Sequence, residues 1–371
     1  MLRIQTPHAL RLLSFLLFAC ALLAAPGCST LSGGGDRARL DGPFDPVALR
    51  QLGLAPRWIN NIAVAGDRVS FGEVFGDTLI LLEGDENIVT ALDFRTGALR
   101  WTRKVGSSLT RLSGANAFGD DLYIASNARL FKLDMDTGES LAFSPLAQPV
   151  TAPSVSDGPL VAYGGTNGLA FGVDLRSTAV RWRYSMPGGI VARPVISGSD
   201  VFFADAAGTY VALDLATGTL RWRNHIFGGV SATPVVHRGN ILVASEDRTL
   251  YALDRNDGSE AWTYRADTPL TLAPLSVGQS AYLPVPGGGL VALSADGEVR
   301  WQLNQPTLPI AEVPGGILGY ADGALIVFNP EDGRTLRRAA ALPPSLIVRS
   351  DNGLVLILGR RTAVRLDPIT R

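Results

Sequence analysis

Apolar residues in this chain arrive in short bursts that Gly, Asp or Asn cut off, as in Asn240-Ile241-Leu242-Val243-Ala244-Ser245 and Thr249-Leu250-Tyr251-Ala252-Leu253. The bursts are rich in β-branched and aromatic residues, and almost nothing in the chain has helical spacing. They predict strands joined by tight turns. After the second burst comes Asp254-Arg255-Asn256-Asp257-Gly258. Its first carboxylate can accept nearby backbone N–H groups, and its glycine tolerates positive φ, which are the needs of a hairpin.

The same phrase returns along the chain as Ala-Leu-Asp-x-x-x-Gly-x-x-x-Trp. It ends at Trp101, Trp222 and Trp262, with turn residues Asp93 and Gly97, Asp214 and Gly218, and Asp254 and Gly258. Weaker copies carry Asp134 with Gly138, Asp174 with Trp182, Gly297 with Trp301, and Gly333. Counted from Asp93 through Asp134, Asp174, Asp214, Asp254, Ser294 and Asn329 to Asp367, the steps are 41, 40, 40, 40, 40, 35 and 38 residues. A period of that length marks stacked or radial repeats.

The ends of the series decide between the two. Asp367 has only four residues after it, so the last copy has neither glycine nor tryptophan. Near the start, Pro56-Arg57-Trp58-Ile59-Asn60 is a tryptophan segment with no strand phrase before it. Two complementary half-repeats suit a ring closed by pairing the terminal strands, whereas an open stack needs polar caps. The expectation is an all-β, eight-bladed β-propeller of four-stranded antiparallel blades. The degenerate copies, in which Ala142 and Arg337 replace tryptophan and Thr178 replaces glycine, leave seven blades as the alternative.

Tryptophan at a fixed point of each outer strand is expected to pack between blades, and the turn aspartates to serve hairpins. A unique ligand site would not need the same residue in every repeat. Ala152-Pro153, Ala192-Arg193-Pro194, Ala232-Thr233-Pro234 and Ala273-Pro274 mark strand starts near a crowded axis.

Composition adds limits. With 371 residues and 46% hydrophobic content, one closed domain over residues 55–371 can bury a large core. Thirty-three basic side chains against 34 acidic ones leave no nucleic-acid footprint. Residues 1–27, with Arg3, Arg11 and the run from Leu12 to Leu23, read as a secretory signal. Ala24-Ala25-Pro26-Gly27-Cys28 resembles a bacterial lipoprotein cleavage box, which makes Cys28 the lipidation site. The other cysteine, Cys20, lies within the removed segment, so mature Cys28 has no disulfide partner in the chain. Residues 28–54, with Ser32-Gly33-Gly34-Gly35, read as a flexible tether. In Gram-negative lipoproteins a residue other than aspartate after the cysteine, here Ser29, permits passage to the outer membrane.

Repeats of this form behind a lipoprotein box resemble the pyrroloquinoline-quinone-type β-propeller repeat family. Within it they are most similar to the outer-membrane protein assembly factors of the BamB type, over nearly all of the mature chain. The resemblance implies a non-catalytic scaffold on the periplasmic face of the outer membrane, held by lipid alone and monomeric within a complex. Its partners would be envelope proteins, with the BamA-type barrel-assembly machinery first among them. In that branch loops around the middle blades make the contact. Here those loops run from Ser185 to Pro194 and from Ile226 to Pro234, the second without the acidic residues of the relatives. Arg193 aligns with the family's loop arginine and is the partner-binding candidate.

Quinoprotein dehydrogenases share these blades, but their chemistry needs a quinone, a hard cation in an acidic cradle and an aspartate base. No catalytic, cofactor-binding or metal-binding residue is expected here. Asp205, Glu246, Asp247 and Asp322 have no hard-cation spacing and read as solvated turn residues, and His225 and His237 fit no transition-metal motif. A ligand- or glycan-binding propeller is the third reading, because the mouth of the channel is concave.

A Cys28→Ser variant is expected to leave the membrane fraction on cell fractionation and to lose labelling by radioactive fatty acid. Undiminished labelling would reject Cys28 as the acylated residue.

Overall fold

In a computed structural model, residues 46–62, 68–146, 148–150, 152–351 and 353–369 are described. The signal segment, Cys28 and residues 28–45 lie outside them. The described chain forms eight four-stranded antiparallel sheets, the blades of a β-propeller. Blades one to seven span 71–104, 112–145, 155–185, 195–225, 235–265, 275–303 and 308–340, each running from inner to outer strand in chain order. The eighth takes three strands from the C-terminal end, Pro344–Ser350, Gly353–Leu358 and Thr362–Pro368, and its outer strand, Leu54–Asn61, from the N-terminal end. The count is eight, not seven.

Burial explains the strand sequences. Middle strands lie between neighbouring blades with both faces covered, so Thr78–Glu83 and Ala324–Phe328 are buried at every position. Outer strands meet solvent, and in Ala179–Ser185 only Trp182 is buried.

Each tryptophan makes the same joint with the following blade. Its indole N–H donates to the carbonyl directly after the turn Asp, or the residue at that position, of the next hairpin. The acceptors are Phe94, Met135, Leu215, Arg255, Ala295 and Pro330 for Trp58, Trp101, Trp182, Trp222, Trp262 and Trp301, at 2.7 to 2.9 Å. The ring lies flat against the glycine of that hairpin. A Cβ on Gly97 would stand 2.5 Å from Trp58, and one on Gly138 2.5 Å from Trp101. Glycine is therefore required twice over, for its positive φ (72° at Gly97) and for the ring above it. The hairpin is fastened from within by its aspartate, since the Asp93 carboxylate accepts the N–H groups of Arg95 and Thr96 at 3.1 and 2.8 Å.

The irregular copies obey the same logic. Blade two has Ala142 opposite Lys132 where tryptophan would stand, and the blade-three hairpin it faces has Thr178 at φ 55° in place of glycine. With no ring overhead a side chain fits, and the Thr178 hydroxyl lies 3.0 Å from that of Ser144. The Leu175 carbonyl, left without an indole donor, accepts the Tyr123 hydroxyl at 3.0 Å instead. Between blades seven and eight, Arg337 takes the tryptophan position. A Cβ on Gly53 would come within 2.8 Å of its guanidinium, so Gly53 lies beneath Arg337 as the hairpin glycines lie beneath the indoles.

One reading from sequence is corrected here. The tether assigned to residues 28–54 ends earlier, because Pro46–Gln51 is a helix and Leu49, Leu52 and Leu54 are buried with Ile310, Val313, Leu325 and Leu366. These leucines cover the junction of blades seven and eight, and that apolar contact orders a stretch whose glycine-rich approach suggested freedom.

Tyr123→Phe is expected to destabilise the fold by about 1 to 3 kcal/mol, because it strands a buried carbonyl. Urea unfolding measures it, and an unchanged midpoint would mean that the Tyr123 bond does not replace the missing indole.

Candidate functional site

The crossover loops from one blade's outer strand to the next blade's inner strand emerge at the same rim as the turns between second and third strands. Loops 186–194 and 226–234 share a pattern. Met186 and Ile190 are buried in the first, Ile226 and Val230 in the second, and Gly-Gly lies between each pair. The buried positions pin each loop, and the glycines let its backbone pass close to the next blade's turn. A Cβ on Gly188 would meet the Ala207 nitrogen at 2.6 Å.

Backbone bonds then staple loop to turn. Ala206 N–H donates to Gly189 O at 2.9 Å and Val230 N–H to Asp205 O at 3.1 Å, while Glu246 N–H donates to Gly229 O at 2.9 Å. The Asp205 carboxylate accepts the N–H groups of Gly188, Ala207 and Thr209 at 2.9, 2.9 and 2.8 Å. Asp205 is fully buried, which corrects its reading as a solvated turn residue. Three converging backbone donors replace the water it gives up. Ser245 takes the equivalent place one blade on and donates to Phe227 O at 2.7 Å.

These loops show large apolar side chains to solvent. Phe227 is 79% exposed and Val191 43%, and the neighbouring crossovers add Leu109 at 80% and Leu272 at 43%. A rigid loop carrying an exposed aromatic tip binds a partner with little ordering cost. Burying such a tip supplies the anchor that interfaces use.

At the axis end of the first loop stands Arg193. Its Nη2 lies 2.8 and 3.2 Å from the two carboxylate oxygens of Glu73 on the inner strand of blade one, and its Nε donates to Ser154 O at 3.0 Å. Asn116 of blade two donates to the Ser154 hydroxyl at 2.7 Å. Blades one to four thus meet in one polar network.

The Arg193–Glu73 pair ties the inner strand of blade one to the crossover into blade four. Among the described residues, no group of three or more His, Cys, Asp or Glu could hold a metal ion. Glu246 and Asp322 are exposed on different blades, and Asp247 accepts the Tyr251 hydroxyl at 2.6 Å. His225 ends an outer strand in solvent. His237 is buried with Nδ1 2.9 Å from the Ser276 hydroxyl, and burial holds its pKa below the usual imidazole value.

The family model described as outer membrane protein assembly factor BamB matches residues 59–184 and 166–313. No curated protein sequence matches the chain. Among solved structures it is similar to BamB from Moraxella catarrhalis, with a TM-score of 0.67 at 20% identity over 84% of this chain and 98% of that one. It is also similar to the computationally designed Ika8 protein, with a TM-score of 0.66 at 13% identity over 82% and 99%. A quinohemoprotein alcohol dehydrogenase from Pseudomonas putida HK5 matches with a TM-score of 0.66 at 12% identity over 89% and 78%. Likeness at these identities speaks for the fold alone.

Asp205→Ala leaves three loop and turn N–H groups without their acceptor and is expected to cost about 2 to 4 kcal/mol. Thermal unfolding together with amide exchange at Gly188 tests this. Wild-type protection at Gly188 would show that the carboxylate does not hold the loop.

Proposed function

We infer, from the premise that this chain belongs to the outer membrane protein assembly factor BamB family, that it is a non-catalytic scaffold in the assembly of outer-membrane β-barrels. It hangs from the periplasmic face of the outer membrane by acylated Cys28 and offers its loop rim to a BamA-type partner. The observation that carries this reading is the pair of stapled loops, 186–194 and 226–234, with Val191 and Phe227 projecting from them. Loops already held in one conformation lose little entropy on docking, so the exposed tips retain their apolar gain.

The non-catalytic part of the reading is supported at the axis. A dehydrogenase of this fold would need an acidic cradle for a cation there, and Glu73, the acid of the blade-one inner strand, is already paired with Arg193. The similarity to the quinohemoprotein concerns blades rather than chemistry.

Calorimetric titration with the soluble periplasmic domains of the cognate BamA-type protein is expected to give specific binding. Phe227→Ala should weaken it by about 1 to 3 kcal/mol without changing the melting temperature. Absence of binding by the wild-type protein, or full affinity in the variant, would count against this face as the docking surface.

A further inference from the structure

We propose that Arg193 serves the docking face from inside: with Glu73 it forms a latch between blade one and the entry to blade four that positions loop 186–194, and it is not itself a partner contact. The proposal rests on the scaffold reading only for its link to binding.

Both members of the pair depart from the repeat. The strand register places Glu73 opposite Ile80, and the corresponding inner-strand residues of the other blades are Asn116, Val155, Val195, Val235, Leu275, Ala311 and Val348. Only Glu73 is charged. The Ala-x-Pro element that precedes inner strands has Thr233 one blade on, where loop 186–194 has Arg193. Two exceptions of opposite charge, 120 residues apart and separated by two intervening blades, therefore meet in one contact, a single guanidinium nitrogen set against both carboxylate oxygens. Chance substitution on a surface would not place them in register.

The guanidinium is committed inward. Nη2 serves Glu73, Nε serves Ser154 O, and the group lies 5.9 Å from the centre of the Phe71 ring. Burial pushes the Glu73 carboxyl above its ordinary range even beside Arg193, so loss of the arginine would leave a half-buried acid without its counter-charge. The loop is consequently held at both ends. Asp205 grips Gly188 near its start, Glu73 grips Arg193 near its finish, and exposed Val191 lies between them.

The repeat itself suggests substitutions that fold. Glu73→Val installs the residue of blades three, four, five and eight, and Arg193→Thr the residue of the next loop. Together they remove both charges and leave none unpaired. In the E73V/R193T protein, amide exchange at Gly189 to Val191 is expected to quicken by about tenfold or more, while loop 226–234 stays as in wild type. Glu73→Val alone should weaken binding to the periplasmic domains of the cognate BamA-type protein as much as Arg193→Ala does. The charge exchange E73R/R193E should recover both loop protection and affinity. Loss of binding in R193A with full binding in E73V would make Arg193 a direct contact and overturn the latch. Wild-type exchange rates in the double variant would overturn it as well. If the wild-type protein does not bind these domains, the scaffold reading falls, and the exchange measurement still decides the latch.

Discussion

The ring depends on one repeated joint, an indole laid over the hairpin of the next blade with its N–H on that hairpin's carbonyl. It joins a large apolar area to one buried hydrogen bond, and both halves need a backbone bare of Cβ beneath the ring. The exceptions show that the constraint acts on the joint and not on either residue. Where the ring is missing at Ala142, the glycine is missing at Thr178, and a tyrosine two strands further in takes over the carbonyl. A polar group buried between blades must be answered by some donor, whichever residue supplies it.

Closure follows from the same joint. Trp58 reaches the turn of blade one while its own strand pairs with Thr362–Pro368, so the first folded strand is tied both to the last residues and to the next blade. Arg365, opposite Trp58, reinforces this seam by donating to Phe94 O at 2.9 Å with its guanidinium 4.0 Å from the centre of the Phe94 ring. The helix at 46–51 seals the remaining gap, where Arg337 is a poorer cover than an indole. Every blade edge along the circle is thereby matched to a neighbour, and the crossover loops are free to differ.

Those loops divide the labour differently from the blades. The blades repeat because packing between them repeats. The rim diverges, with Asp205 in one turn, Ser245 in the next, an arginine in one crossover and an exposed phenylalanine in another. Structural rigidity at the rim comes from backbone bonds and buried carboxylate, so surface side chains can change without loosening the loops. That is the property a scaffold needs for a partner-facing surface.

Much of the fold was legible in the chain, because a 40-residue period with a glycine and a tryptophan at constant spacing leaves few architectures open and the half-repeats at the ends point to a ring. Local chemistry alone accounts for the strands, the hairpins and the tryptophan positions. Tertiary structure decided everything that depends on residues far apart meeting. It buried Asp205, which looks like any turn acid, because three N–H groups from two chain segments converge on it. It folded Leu49 and Leu52 onto the final junction, and it turned Arg193 inward to Glu73. A repeat pattern records which contacts recur, whereas the contact between two exceptions is set only when the ring curves and brings blade one and the entry to blade four within bonding distance.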